Sequence, residues 1–409
     1  MLKDGDLIME GKLYDYVAGL VNKLTINGQI GGKRNLFIVK DDSPNAFNMG
    51  DDNVFVHLGL VHKLNKEEEL AFVIGHELGH NELDHYDKKA LDYADLKVND
   101  SIKRRIREIK NSDYRQVSAL NELMIPWILD SKSKSRNAEN EADEYGFRLI
   151  RSADFDWRNA IGVFDILEQE SAETDTTFMD LTAIFHLNET GLDFTKALQP
   201  KLTSSLGAFE DEENDTLSDL LRTHPFGKER KIATLEKIAN SASGKASVSN
   251  PRYQEYKRLA LQEIIMDAVY KYQLDKALFN AIELYELDHS NVLVNTIIPF
   301  SFSYLGYAKK KRRAGKSIET QSAYYGKSFN QLIHFLREIS PEQCFAISAN
   351  WNESYNDITD LNLSSPSLAV MDALAKDYDN FEIRYKNETD RINNYYITRL
   401  LTKIKNEND

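Results

Sequence analysis

Leu13, Val17, Leu20, Val21 and Leu24 recur at helical spacing, so the first element predicted is an amphipathic helix with one buried stripe. The period then shortens. Asn35–Lys40 and Asn53–Leu58 are short strand candidates separated by the turn residues Pro44, Asn45, Gly50, Asp51 and Asp52, which predicts a small sheet. Leu70, Ala71, Phe72, Val73 and Ile74 are apolar without any stripe, so the helix they begin is expected to be buried on all sides. Asn65 is placed to cap it, with Glu68 completing a capping box and Glu67–Glu69 at the positive end of its dipole.

Residues 86–115 are polar with helical character, and 117–129 form a more apolar helix bent or started near Pro126. On a helix through 135–146, Glu139 and Asp143 share a face. Ala142 and Gly146 share the neighbouring face, small enough to let another helix come close. Residues 171–220 are irregular and end in the acidic Glu210–Asp215, which predicts a mobile insertion able to plug a cleft. The composition of 241–252 is that of a linker. From 253 to 409 the pattern is helical, and Ala277–Asn291 looks like the second helix and turn of a tetratricopeptide (TPR)-type unit, without a second clean copy. The predicted organisation is therefore a domain at 1–240, a linker at 241–252 and an all-α, TPR-like domain at 253–409. The fold class is α+β, mostly α.

Composition narrows the function. With 409 residues, 42% hydrophobic and 28% charged, the chain can build globular cores. A net charge of -14 opposes a phosphate-binding surface, and the short run Lys309–Arg313 reads as a solvated helix face, so no nucleic-acid partner is expected. The single Cys344 excludes an internal disulfide and a thiolate-rich metal site, leaving histidines and carboxylates as available ligands. No run of about 18 apolar residues occurs, so no transmembrane segment is expected. Met1–Leu7 lacks the apolar core of a secretory signal. The chain is then either cytoplasmic or a mature form whose signal has been removed.

The chemistry concentrates in His76-Glu77-Leu78-Gly79-His80. Residues four apart share a helix face, so His76 and His80 can present two imidazoles to one metal while Glu77 stands beside them to act on water. Two ligands do not complete a site. A third histidine in the metzincin register is ruled out, because Leu83 and Tyr86 stand where glycine and histidine would be required. His85 is one residue off that register and reads as an exposed helical histidine. A carboxylate from a separate helix is the other common solution, and Glu139 is placed to give it, with Asp143 one turn on to orient a ligand imidazole. From spacing alone, an ordinary charged helix face is the better description of Glu139 and Asp143.

Taken in order, Asn45-Ala46-Phe47, Gly59-Leu60, His76-Glu77-x-x-His80, Ser135-Arg136-x-x-Glu139-x-x-Ala142-Asp143 and Thr223-His224-Pro225 with Arg230 resemble the motif set of one family. It is the M48 gluzincin family of the CAAX prenyl protease, the stress protease HtpX and the periplasmic protease BepA. The resemblance covers about residues 7 to 240. It implies a zincin-type catalytic domain with a small sheet beside the active-site helix, and one Zn2+ per chain on His76, His80 and Glu139. It also implies Glu77 as general base, Asp143 behind a ligand histidine, and Arg230 as a structural arginine. His224 would be either a resting-state zinc ligand or an oxyanion donor. Asn45, Ala46, Phe47 and the strand carrying Val54, Phe55 and Val56 would form the edge on which an extended peptide lies. The soluble, envelope-located members with a helical repeat domain are the closer match, which favours a periplasmic or envelope location and leaves a cytoplasmic one open. The expected activity is hydrolysis of extended or unfolded protein segments in quality control. The alternative is a chaperone or assembly factor with a latent protease site that binds partners through its C-terminal helices.

Overall fold

A computed structural model of the chain describes residues 6–48, 52–86, 88, 104, 136–169, 178–199, 230–232, 250–322 and 325–356. The expected helix at 117–129, His224 and most of the linker 241–252 lie outside the described residues. The chain divides into two compact units, Met1–Glu168 with Ser205–Lys257, and Gln169–Ser204 with Arg258–Asp409. The class is α+β, mostly α.

The first unit opens with strand β1 (Leu7–Ile8) and helix α1 (Lys12–Asn27), whose buried residues include all five of the predicted apolar stripe. Strands β2 (Asn35–Val39), β3 (Ala46–Asn48) and β4 (Asn53–His57) complete a sheet of order β1-β2-β4-β3. β4 runs parallel to β2, with Asn35 opposite Asn53, and β3 runs antiparallel to β4, with Phe47 opposite Phe55. Side chains alternate across a sheet, so Leu36, Ile38, Val54 and Val56 are buried on one face. On the other, Phe37, Phe55 and Phe47 stack with ring centroids 5.0 and 4.7 Å apart.

One expectation is corrected here. β4 lies between β2 and β3, so its backbone is paired on both sides and Val54, Phe55 and Val56 offer no free edge. Among the described residues the outer strand on that side is β3, which carries Ala46 and Phe47 and is preceded by Asn45.

Helix α2 (Leu58–Lys63) follows β4 directly. A Cβ on Gly59 would stand 2.1 Å from the carbonyl oxygen of Asp42, so only glycine fits this crossing of two backbones. Helix α3 (Glu67–Glu82) is buried from Glu68 through His80 and packs on α1, β3 and β4. Its cap differs from the expected Asn65–Glu68 box. Glu69 Oε2 accepts from the backbone N–H of Asn65 at 2.6 Å and of Lys66 at 3.1 Å, because the helix begins two residues after Asn65 and its third residue is Glu69.

Helix α4, described over 136–152, lies against α3 at small residues. A Cβ on Gly79 would come within 2.9 Å of Tyr145 Cβ and 3.3 Å of Ala142 Cα. The small Ala142 and Gly146 thus permit the close approach their spacing predicts. Helix α5 (Gly162–Gln169) contributes Phe164, edge-on to Phe72 of α3 with centroids 5.7 Å apart.

Helix α6 (Pro251–Tyr270) begins where the expected linker ends, with Pro251 at its first position, where a missing N–H costs nothing. Its residues up to Lys257 belong to the first unit, where the Tyr253 hydroxyl donates to the Val61 carbonyl at 3.0 Å.

Among the described residues the second unit is all helical. It holds most of α6, α7 (Leu274–Leu287), α8 (Val292–Lys310), α9 (Lys327–Glu338) and α10 (Pro341–Asn356). The segment Ala277–Asn291 is the body of α7 and the turn into α8, where Asn291 Oδ1 accepts from Leu293 N–H at 3.1 Å.

Two expectations change in this unit. The described part of the stretch expected as a mobile insertion, 178–199, buries Leu181, Phe185, Leu187, Phe194 and Ala197 in the hydrophobic core of the C-terminal helices. Its apolar residues are sparse in sequence but converge on one face. In the basic run, Lys309 is half-buried and its Nζ donates to the carbonyls of Arg337 at 2.9 Å and Ile339 at 2.5 Å, closing the end of α9. Among the described residues no helix is long and apolar enough to cross a membrane.

Candidate metal centre

α3 and α4 bring together groups far apart in sequence. His76 and His80 lie one turn apart on α3, and their Nε2 atoms are 3.0 Å from each other. From α4, Glu139 places Oε2 3.4 Å from His76 Nε2 and Oε1 3.5 Å from His80 Nε2. All three residues are buried. They are the one group of His, Cys, Asp and Glu among the described residues whose ligand atoms lie mutually within 4.8 Å.

These residues fit a zinc ion. Ligand atoms about 2.0–2.1 Å from a tetrahedral centre stand about 3.3 Å apart, close to the three separations observed. Two imidazoles and one carboxylate are also the donor set of open, catalytic sites, which leave a fourth position unfilled by protein.

The groups behind the cluster hold it in place. His76 Nδ1 lies 2.9 Å from Asp143 Oδ1. Arg230 donates from Nε to Asp143 Oδ2 at 2.9 Å and from Nη2 to Oδ1 at 2.6 Å, and its Nη1 lies 3.2 Å from Glu139 Oε2. The pair Arg230–Asp143 is thus bidentate and buried. Burial works against the charged form of Asp143, but Arg230 and His76 outweigh it and hold the carboxyl below its usual range. Burial likewise opposes a charged His76. Hydrogen bonds to Asp143 and Glu139 overcome it and push the imidazole up to about 9 in the metal-free chain. A field that favours a proton there favours a cation.

Glu77 is buried on α3 beside His76. The Tyr86 hydroxyl, which the sequence did not single out, lies 3.5 Å from Glu77 Oε2. Burial first, and then the charge of Glu77, raise the Tyr86 pKa and keep the phenol protonated as a donor.

His85, expected as an exposed helical histidine, is helical, but its side chain is not exposed. α3 ends at Glu82, Asp84 adopts a left-handed conformation with φ 55°, and the chain folds back. His85 Nδ1 then lies 2.9 Å from His80 Nδ1, and the His85 side chain is 7% exposed. The available signal was Asp84, one of the few non-glycine residue types that tolerates this conformation at a helix end.

Of the substrate-strand residues, Ala46 and Phe47 lie on the outer strand β3 and Val54, Phe55 and Val56 on the interior strand β4. α3 packs on both. His224 lies outside the described residues.

Residues 12–239 match the family model for Peptidase family M48, a stretch that holds every member of the cluster. Among curated proteins no match is found.

Proposed function

The chain belongs to peptidase family M48, and on that footing we propose that it is a zinc-dependent endopeptidase that cuts extended or unfolded protein segments, in the service of protein quality control. The observation that carries this is the convergence of His76 Nε2, His80 Nε2 and the Glu139 carboxylate, with the intact Glu77 alongside. A catalytic zinc, when bound, supplies Lewis-acid polarisation of the scissile carbonyl and lowers the pKa of water.

The chain's own residues do the rest. Glu77 takes a proton from the attacking water and delivers it to the leaving amine. Asp143, held by Arg230, accepts from His76 Nδ1–H and keeps His76 in the tautomer whose free Nε2 faces the centre. Tyr86, within reach of Glu77, supplies a hydrogen bond to that carboxylate. By family resemblance His224 is either a donor to the developing oxyanion or a ligand of the resting state. The outer strand β3 would offer main-chain groups to an extended peptide, which favours unfolded segments or loops over compact folds, whose backbones are already paired.

The test is metal content and casein cleavage of the wild type beside Glu77→Gln. The wild type is expected to bind about one zinc and cleave, and Glu77→Gln to keep the zinc and lose cleavage by at least about 100-fold, the scale of a lost general base. Cleavage retained in Glu77→Gln would overturn the proposal.

A further inference from the structure

The two histidines of the cluster are braced differently on their outer sides. His76 Nδ1 meets a buried carboxylate, Asp143, itself clamped by an arginine. His80 Nδ1 meets another imidazole, His85, at 2.9 Å, and His85 Nε2 lies 3.1 Å from Glu141 Oε2. The two rings stand edge to face, with centroids 5.0 Å apart. The Glu141 side chain is 60% exposed, whereas that of His85 is 7% exposed.

Proton positions in this chain determine one another. His80 Nε2 lies among the other cluster atoms, so as a ligand it must carry no hydrogen, and its single hydrogen sits on Nδ1. Nδ1 of His85 is then the acceptor. A neutral His85 carries its own hydrogen on Nε2, and the partner there is a carboxylate, which only accepts. Each bond thus has one possible direction, from His80 to His85 to Glu141.

We propose that His85, oriented by Glu141, is a positioning residue for the metal centre: it accepts from His80 Nδ1–H and so fixes both the ring plane and the tautomer that turn Nε2 of His80 inward. The proposal rests on the zinc-site reading given above. A continuous helix would not place His85 there, because a residue five positions on from His80 lies about 140° round the axis. The left-handed Asp84 is what returns it. The two arms also differ in environment. The Asp143 arm is closed off from water, whereas the His85 arm ends at a solvated carboxylate, so the last bond of that arm is weakened by competition with water.

The full-length chain tests this through zinc affinity, measured by competition with a chromophoric chelator, and through the absorption spectrum of the Co2+-substituted protein. The variants are His85→Asn, whose carboxamide oxygen can accept from His80, and His85→Leu, of similar size without an acceptor. His85→Leu is expected to bind zinc about 10–100-fold more weakly and to alter the Co2+ spectrum, with metal-free thermal stability close to wild type. His85→Asn is expected to recover most of the loss, and Glu141→Gln to lose only a few-fold, since its amide oxygen still accepts. Zinc affinity of His85→Leu within twofold of wild type, or a loss equal in His85→Asn, would overturn the proposal. His80→Ala separates the two levels. If it keeps wild-type affinity, the zinc-site reading itself fails; if it loses zinc while His85→Leu does not, only the positioning role fails.

Discussion

A Cβ on Gly75 would stand 3.2 Å from the Cα of Gly146, so the helix bearing His76 and His80 and the helix bearing Glu139 meet backbone to backbone. The spacing of the ligand atoms depends on that contact.

Gly146→Ala tests it, because the new methyl would lie 3.0 Å from the backbone nitrogen of His76 and 3.2 Å from a ring carbon of Phe72. Alanine in a helix interior gains about 1 kcal/mol over glycine, whereas overpacking costs about 1–3 kcal/mol. The overpacking is expected to win, lowering the melting temperature and weakening zinc binding. Gly19→Ala is the contrast, since nothing lies within 4 Å of its added Cβ on the exposed side of α1. It is expected to stabilise the fold by up to about 1 kcal/mol. Urea denaturation of both variants checks the opposite signs.

Arg230→Met removes the cation that Asp143 and Glu139 share. Breaking a buried pair from one side costs about 3–5 kcal/mol, because the partner charges stay buried. A bound cation offsets part of that repulsion. The metal-free protein is therefore expected to lose more stability than the zinc-loaded protein, and thermal unfolding with and without a chelator measures the difference.

Asp84 sits at φ 55°, where β-branched residues fit poorly. Asp84→Gly is expected to leave the melting temperature near that of wild type. Asp84→Val is expected to cost about 1–2 kcal/mol, the penalty for a side chain in the left-handed region. Because the same turn carries His85 to His80, the valine variant should also bind zinc more weakly, read by chelator competition.

Asp41 supplies a pH dependence away from the His76–His80–Glu139 cluster. Its bond to His57, opposed by burial and reinforced by Ser43, holds the carboxyl well below the usual carboxylate range. A folded pKa below the unfolded value of about 3.9 means that Asp41 stabilises the fold above that pH, and that the contribution is lost as the carboxyl protonates in acid. Unfolding free energies of wild type and Asp41→Asn, measured by urea from about pH 6 to pH 2, are expected to converge toward the acid end. Curves that stay parallel would contradict this source of stability.

Local patterns in the sequence revealed much of this. The stripe from Leu13 to Leu24 and the unstriped Leu70–Ile74 correspond to helices with the predicted burial, and the two short strand candidates to β2 and β4 of one sheet. His76 and His80 share a face because helical periodicity is a local property. Gly146 and Ala142 gave the close approach of α4 for the same reason. The cap shifted by a residue, to Glu69, because several acidic residues in a row compete for one role.

Pairing and path were not legible. Whether β4 is an edge or an interior strand depends on β3 docking beside it, and nothing in Asn53–His57 encodes its second neighbour. The segment 178–199 looked irregular because its core residues are few, and only their convergence on the C-terminal helices orders them. His85 looked exposed because a periodic helix was extended through Asp84.

Legible in the chain alone were which residues share a helix face, where β2 and β4 form, and that His76, Glu77 and His80 stand together on one helix as candidate metal-site residues, since each depends on backbone geometry within a turn or two. Folding brings Glu139, which the family resemblance had already named, up to His76 and His80, sets the two bonds from Arg230 to Asp143, puts β3 rather than β4 outermost, and returns His85 to His80. Those relationships join residues through packing and one left-handed turn, and packing is a property of surfaces that meet only after the chain has folded.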